Sequence, residues 1–389
     1  TAEELKKGVI SELDNNVAPI TAKLIPVLSW VQAGEMTSVE TINPIEINEW
    51  LPPLSADDPD GCFYLRVVGV SNSPAYVEGD CILVNPKFQV CDLLSGDLIV
   101  VRNNTELLKE VFKQKAKYNF KVGFRLSFPK RIAKLETDLA NNKKSILDVI
   151  SNKIQTYSEV SLINECDIFL PTSFQMKNDY FKDVKTRTFV IPSAIDPDIL
   201  HENIQHEGNE KRFFYAGTLD KLREFETILE AFSNIHNSNF KLMISTKDPE
   251  FLDHLLIDFP NLKNNIEIYD AKTRKELLEL IAIADVGLSP LPDIALFNSS
   301  TPMKVLDYYS SAVPCIMSDN ENNTSIFEDN ISAWFTTFDK ESIQKKLEYI
   351  ISLSKNDVTK VGKKGQERLL AVRNYERIAA DLAHQLNIL

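Results

Sequence analysis

From Lys211 onward, apolar strand-like runs alternate with amphipathic helical runs, and this restricts the fold more than any other feature of the chain. Arg212–Ala216 is an apolar run ending in Gly217-Thr218. The segment after it places Phe225, Ile228, Leu229, Phe232 and Ile235 on one helical face. Further strands are expected at Phe240–Ser245, Ile266–Tyr269, Val286–Ser289 and Val313–Met317, with helices near Pro249–Ile257 and Arg274–Ala284 and another opening at Thr301-Pro302. This order predicts an α/β Rossmann-like domain, a parallel sheet with helices on both faces.

Upstream the character changes. Residues 1–113 read as all-β, with short runs at Phe63–Val68, Cys81–Val84 and Leu98–Val101 separated by Gly, Pro, Asp and Asn. Arg102-Asn103-Asn104-Thr105 reads as a two-residue hairpin turn. Residues 114–210 are mixed: strict alternation from Tyr118 to Phe128, a helical stretch over Arg131–Glu165, then strands at Asp167–Leu170 and Thr188–Ile191. The 389 residues are therefore divided at 1–113, 114–195 and 196–389.

Hydrophobic and charged contents of 43% and 25% suit a soluble globular protein. The net charge of -13 argues against phosphate-backbone binding, so no direct DNA contact is expected. Residues 1–113 hold 8 Lys and Arg against 17 Asp and Glu, so the acidity is concentrated there. No apolar run spans a membrane and no signal peptide opens the chain. Cys62, Cys81, Cys91, Cys166 and Cys315 form no CxxC pair and read as reduced thiols, which places the chain in the cytoplasm. A chain opening at Thr1 reads as a fragment.

Ligands of parallel sheets sit beyond the carboxyl ends of the strands. The richest segment there is Ser299-Ser300-Thr301-Pro302-Met303-Lys304-Val305-Leu306-Asp307-Tyr308. Thr301 suits an N-cap and Pro302 the first helical position. Lys304, Asp307 and Tyr308 then share a face. Free N–H groups beside a lysine would hold a diphosphate, and a carboxylate one turn on would accept from ribose hydroxyls. On the pattern alone, the segment reads equally well as a capped helix with a surface Lys–Asp pair.

These motifs resemble the donor half of family-4-type retaining glycosyltransferases of the GT-B fold. The carrying segments are Phe213-Phe214-Tyr215-Ala216-Gly217-Thr218-Leu219, Ile283-Ala284-Asp285-Val286-Gly287-Leu288-Ser289-Pro290, and Thr301 through Pro314. The resemblance covers about residues 160–389. It implies that Gly217 and Thr218 admit the donor phosphates and that Arg223 stands where the family has a phosphate-binding Lys. It implies that Lys304 neutralises the diphosphate leaving group and that Asp307 holds the ribose. The first acid of the family's pair falls at Ser299 and is missing. Val190-Ile191-Pro192-Ser193-Ala194-Ile195-Asp196 resembles the family's inter-domain crossover. The implied donor is a UDP- or GDP-sugar, with no metal and no cofactor. The implied acceptor is a saccharide or lipid-linked saccharide, in cell-envelope polysaccharide synthesis at the inner face of the plasma membrane. The Lys113–Lys134 segment mixes Lys, Arg and Phe and suggests a peripheral membrane contact.

Residues 25–113 resemble the autoprotease domain of LexA and phage repressors, the S24-type peptidases. The blocks are Ile25 through Glu35, Phe63 through Pro74, Glu78 through Pro86 and Ser95 through Arg102. The resemblance implies a Ser71 nucleophile and a desolvated, neutral Lys on a strand as base, at Lys113 or its rival Lys109. It implies self-cleavage at Ala33-Gly34 and a homodimer through this domain. The DNA-binding helix-turn-helix that precedes such domains is missing here. The two resemblances abut near residue 114, as in a fusion, natural or constructed. The alternative to a glycosyltransferase is then a self-cleaving regulatory protein with passive cargo.

Overall fold

The computed structural model describes residues 24–28, 49–53, 61–66, 79–84 and 97–387, apart from 142, 144, 196, 198, 199, 205 and 238. The chain divides into two compact units, Thr1–Leu93 and Leu94–Leu389.

The described part of the first unit is a four-stranded sheet. Strands β1 (Ile25–Leu28), β2 (Trp50–Leu51), β3 (Phe63–Arg66) and β4 (Cys81–Val84) are ordered β2-β1-β3-β4. β1 runs parallel to β3, and the other two pairs are antiparallel. Ile25, Cys62 and Tyr64 form a small core beneath it. This agrees with a mostly-β amino-terminal region.

The second unit begins earlier than the sequence boundary at 113. Leu98–Arg102 (β5) pairs in parallel with Lys121–Leu126 (β6), which pairs in parallel with Ile168–Pro171 (β7). Between β5 and β6 lies helix α1, Thr105–Tyr118. The expected hairpin at Arg102–Thr105 is therefore a strand-to-helix turn. Asn103 takes a left-handed φ of 52°, and the Asn104 side chain accepts from Leu107 N at 2.9 Å as the cap. The helical stretch after β6 is two helices, α2 (Lys130–Ala140) and α3 (Ile146–Asn164), followed by α4 (Phe174–Tyr180). The expected strand at Thr188–Ile191 appears as a single bridge, Thr188 to Phe169.

The larger sheet has six parallel strands: β8 (Lys211–Ala216), β9 (Phe240–Ser245), β10 (Ile266–Tyr269), β11 (Val286–Ser289), β12 (Cys315–Ser318) and β13 (Trp334–Thr336). Their order is β10-β9-β8-β11-β12-β13, the doubly wound arrangement, with its switch point between β8 and β11. Alternate residues feed two cores. Phe213, Tyr215, Leu242, Ile244, Val286 and Leu288 face helices α5 (Phe225–Ser233), α6 (Pro249–Leu256) and α11 (Lys340–Ser352). Phe214, Ala216, Met243, Cys315 and Met317 face α7 (Arg274–Ala282), α9 (Met303–Ser310) and α12 (Lys355–Val372). Two short helices, α8 (Ala295–Asn298) and α10 (Glu321–Thr324), lie in the loops after β11 and β12. Both faces are covered, so the strands read as near-continuous apolar runs.

The chain returns through Asn374 to the crossover residue Ile195, which it bridges in parallel, and ends in α13 (Tyr375–Leu386). Arg187 donates to Gln385 at 2.7 Å, tying α13 to the smaller sheet's side of the unit.

One close approach fixes α9 on the sheet. A Cβ at Gly287 would stand 2.2 Å from the Tyr308 ring, so only glycine admits that ring over β11. Gly287→Ala is expected to destabilise the second unit by about 1–3 kcal/mol, the usual cost of overpacking a core, read from its urea unfolding midpoint.

Candidate active site

The mouth of the six-stranded sheet is built by the loops after β8 and β11. β8 ends in Gly217, whose φ of +149° is open to glycine and strained for other residues. Tyr215 Oη donates to Thr218 O at 3.1 Å and braces the turn. Gly217 and Thr218 are exposed at the mouth. The turn ends at Glu224, a left-handed residue at φ 46°, from which α5 starts.

Lys304 reaches into this mouth from the first turn of α9. Its Nζ lies 4.0 Å from the centroid of the Tyr215 ring. It also lies beside Gly217, where an added Cβ would be 3.7 Å away. No carboxylate pairs with Lys304 among the described residues. Desolvation by burial, with a smaller repulsion from Arg223, lowers its pKa to about 7. Arg223 is held by Asp220 and stacks its guanidinium over Phe297, 5.4 Å from the ring centroid. Two cations therefore converge on one glycine turn, at the switch point where parallel sheets bind ligands.

The start of α9 differs from expectation. Pro302, with extended backbone, is the cap residue and Met303 the first helical one, so Thr301 is not the N-cap. A proline at the cap position offers no side-chain acceptor for the first N–H groups. The Thr301 hydroxyl is buried and has no hydrogen-bond partner among the described residues. A buried unpaired hydroxyl costs free energy until something pairs it.

Asp307 is buried, and its carboxylate accepts from Arg274 at 2.7 Å. Desolvation raises its pKa, and the charges of Arg274 and His201 oppose that rise. Arg274 opens α7 beyond β10, and sequence reasoning did not single it out. Nothing local marks it, because its partner lies 33 positions away.

Tyr308 leaves the site. It is fully buried, accepts from Ala216 N at 3.3 Å, and donates toward Phe214 O at 3.1 Å. Its ring fills the space left by Gly287, so its role is packing and its hydroxyl is spent on backbone. Ser299, where the family's first acid would fall, is also buried. Its Oγ donates to Leu296 O at 2.7 Å, and its carbonyl accepts from Ser173 Oγ.

Of the peptidase-like residues, Lys109 and Lys113 are described. Ser71, Ala33 and Gly34 lie outside the described residues, as does Asp196. Lys109 and Lys113 stand on helix α1 and not on a strand. Both are exposed and pair with Glu106 at 2.8 Å and Glu110 at 2.7 Å. The run Thr105–Tyr118 is made of strong helix formers with i,i+3 ion pairs, which explains the change of element. Neither lysine has the desolvated setting that a neutral amine base requires.

If the mouth is an anion site built on Lys304, Lys304→Met removes a desolvated charge and keeps its apolar stem. The variant is expected to bind inorganic pyrophosphate about tenfold or more weakly, the worth of a charge-assisted hydrogen bond. Its unliganded melting temperature is expected to be unchanged or higher.

Comparison with known proteins bears on the family segments and the fold. Residues 196–368 match the family of glycosyl transferases group 1, and residues 26–121 match the Peptidase S24-like family. No curated protein matches the sequence significantly. Similar solved structures include the sucrose-phosphate synthase of Thermosynechococcus elongatus, at 15% identity and TM-score 0.58, covering 75% of this chain and 73% of that one. Anabaena HepE in complex with UDP and glucose aligns at 12% identity and TM-score 0.56, over 75% of this chain and 78% of that one. The α,α-trehalose 6-phosphate synthase of Burkholderia multivorans aligns at 13% identity and TM-score 0.56, over 76% and 72%. The chain thus joins an S24-like segment to a group 1 glycosyltransferase domain of GT-B architecture.

Proposed function

We propose that the second unit is a retaining glycosyltransferase that moves a hexose from a nucleoside diphosphate sugar to a saccharide or lipid-linked acceptor in cell-envelope polysaccharide synthesis. The observation that carries this reading is the unpaired, desolvated Lys304 ammonium against Gly217. In the reaction, the bond from the anomeric carbon to the β-phosphate oxygen breaks. A bond from an acceptor hydroxyl forms on the same face, and the hydroxyl proton passes to the departing phosphate. Lys304 and Arg223 stabilise the negative charge that grows on the diphosphate. Thr301 supplies a hydroxyl to a phosphate oxygen. Asp307, oriented by Arg274, accepts from the ribose. The complex of HepE with UDP and glucose favours uridine as the first donor class to try.

The setting we infer is the cytoplasmic face of a membrane. Among the described residues no helix is long and apolar enough to cross one. Helix α3, however, leaves Ile146, Leu147, Ile150, Ile154 and Tyr157 exposed along one stripe. The exposed Lys130, Lys134, Lys143 and Lys153 lie on the neighbouring turns, which suits an anionic bilayer.

A second reading rests on the S24-like match: self-cleavage at Ala33-Gly34 by Ser71, with dimerisation through the first unit. Lys109 and Lys113, the bases named for it, stand on helix α1 and pair with Glu106 and Glu110.

Two experiments test the first reading. In a thermal-shift screen of nucleoside diphosphate sugars, at least one should raise the melting temperature of the wild-type chain, and Lys304→Ala should abolish the rise. With that donor, the product should keep the donor's anomeric configuration by NMR. The absence of any shift contradicts donor binding, and an inverted product contradicts the retaining assignment. For the membrane contact, the chain should co-sediment with vesicles containing phosphatidylglycerol, and Ile150→Glu with Ile154→Glu should release it.

A further inference from the structure

Beyond the carboxyl ends of β11, β12 and β13 lies a pocket of about 470 Å³ that the donor reading does not use. Ser318 ends β12, and Thr337 follows the last residue of β13. The loop from β11 to α9 lines the pocket with Leu291, Asp293 and Asn298, then runs on to Thr301 and Lys304. The pocket and the donor mouth therefore share one loop. Hydrogen bonds fix that loop near both of its ends. Ser318 Oγ donates to Leu291 O and accepts from Leu291 N, both at 2.7 Å. Asn322 Nδ2 donates to Asn298 O at 2.5 Å, and Ser173 Oγ donates to Ser299 O.

The lining mixes carboxylate, amide and hydroxyl groups, and no described Lys or Arg takes part in it. Two of its carboxylates are engaged by the protein. Asp339 caps α11, accepting from Ser342 N at 2.8 Å and from Thr337 Oγ1 at 2.6 Å. Asp293 accepts from Asn298 Nδ2 at 2.5 Å. The other two, Asp319 and Glu321, are exposed, and their carboxylates carry no hydrogen bond or ion pair among the described residues. Asn323, 2% exposed, donates to Ser318 O at 2.8 Å and leaves its buried Oδ1 without a partner there. Leu291 and Phe338 add an apolar patch to the wall. No three of the described acids stand together so as to chelate a metal ion.

A carboxylate only accepts hydrogen bonds, so free carboxylates call for a ligand that brings O–H or N–H donors. A pocket with a few polar groups beside an apolar wall fits a ligand that has polar edges and a C–H face. A sugar ring has both. A phosphate or a uronic acid has the wrong sign here, because it would set its charge beside Asp319 and Glu321 with no cation to offset it. We propose that this pocket binds a sugar unit of the acceptor that carries no acidic group, with its hydroxyls on Asp319 and Glu321 and a C–H face on Phe338. This rests on the glycosyltransferase reading, and it narrows the acceptor to a saccharide with a neutral or amino sugar at that position.

The test uses the full chain with the donor mouth filled by saturating UDP, so that added saccharide cannot occupy the Lys304 site. The loaded chain is screened on an array of neutral, amino and uronic-acid glycans. At least one neutral or amino glycan should be retained, and its uronic-acid counterpart should not. In calorimetric titration with the retained glycan, Asp319→Asn combined with Glu321→Gln should weaken binding about tenfold or more, the worth of a charge-assisted hydrogen bond. Phe338→Ala should act in the same direction. UDP affinity of the double variant should stay within about twofold of wild type, which reports an intact fold. Retention of no neutral or amino glycan, preference for uronic-acid glycans, or equal affinity in wild type and the double variant overturns the proposal. A wild-type chain that fails to bind UDP at all contradicts the donor reading instead.

Discussion

A half-buried lysine whose ammonium packs against a tyrosine ring and a glycine turn is the interaction on which the rest of the second unit depends. The position is unfavourable for a cation: desolvation pulls its pKa down to about 7, and Arg223 adds repulsion. Several features keep it there. Tyr308 anchors α9 by its ring over Gly287 and by its hydroxyl on the backbone of β8. Tyr215 both underlies the ammonium and ties down Thr218. The cost at Lys304 is borne where strands diverge and a ligand can reach it.

The smaller sheet belongs to the same compact unit. Its three parallel strands repeat the β-α-β logic of the larger one, so its polar groups also collect at the carboxyl ends: Arg102, Asn103, Arg125, Ser127, Thr172 and Ser173. The contact of Ser173 with Ser299 and the return of the chain at Ile195 and Asn374 join the two sheets into one unit. The S24-like match runs to residue 121, past the boundary at Leu93. Residues 98–121 are thus shared between a sequence pattern of one family and a sheet of the other.

Much of the larger sheet was legible in the sequence because strands buried on both faces and amphipathic helices leave strong periodic signals. Lys304, Gly217 and Asp307 could be named for the same reason: they fall at strand ends and at one helix turn. What failed were features decided by distant partners. Leu98–Arg102 looks like any short strand, and only its pairing with Lys121–Leu126 assigns it to the second unit. Val111-Phe112-Lys113 has strand-like residues, yet the cap at Asn104 and the ion pairs of its lysines make it helical. Tyr308 shares a helix face with Lys304, and a sequence cannot tell that a glycine 21 positions earlier receives its ring. Arg274 was invisible because its approach to Asp307 is set by strand order.

The measurement that tests the central claim most directly is the proton balance of nucleoside diphosphate binding. A lysine that is about half neutral near pH 7 must take up a proton when a diphosphate arrives, since the anion favours its charged form. Calorimetric titration of UDP at pH 7.5 to 8, in two buffers of different ionisation enthalpy, should show net proton uptake of between half and one proton per site. Affinity should fall by up to tenfold per pH unit as the pH rises above 7. Both effects should vanish in Lys304→Met. UDP binding with no proton uptake, and with the same affinity at pH 6.5 and 8.5, would contradict the account.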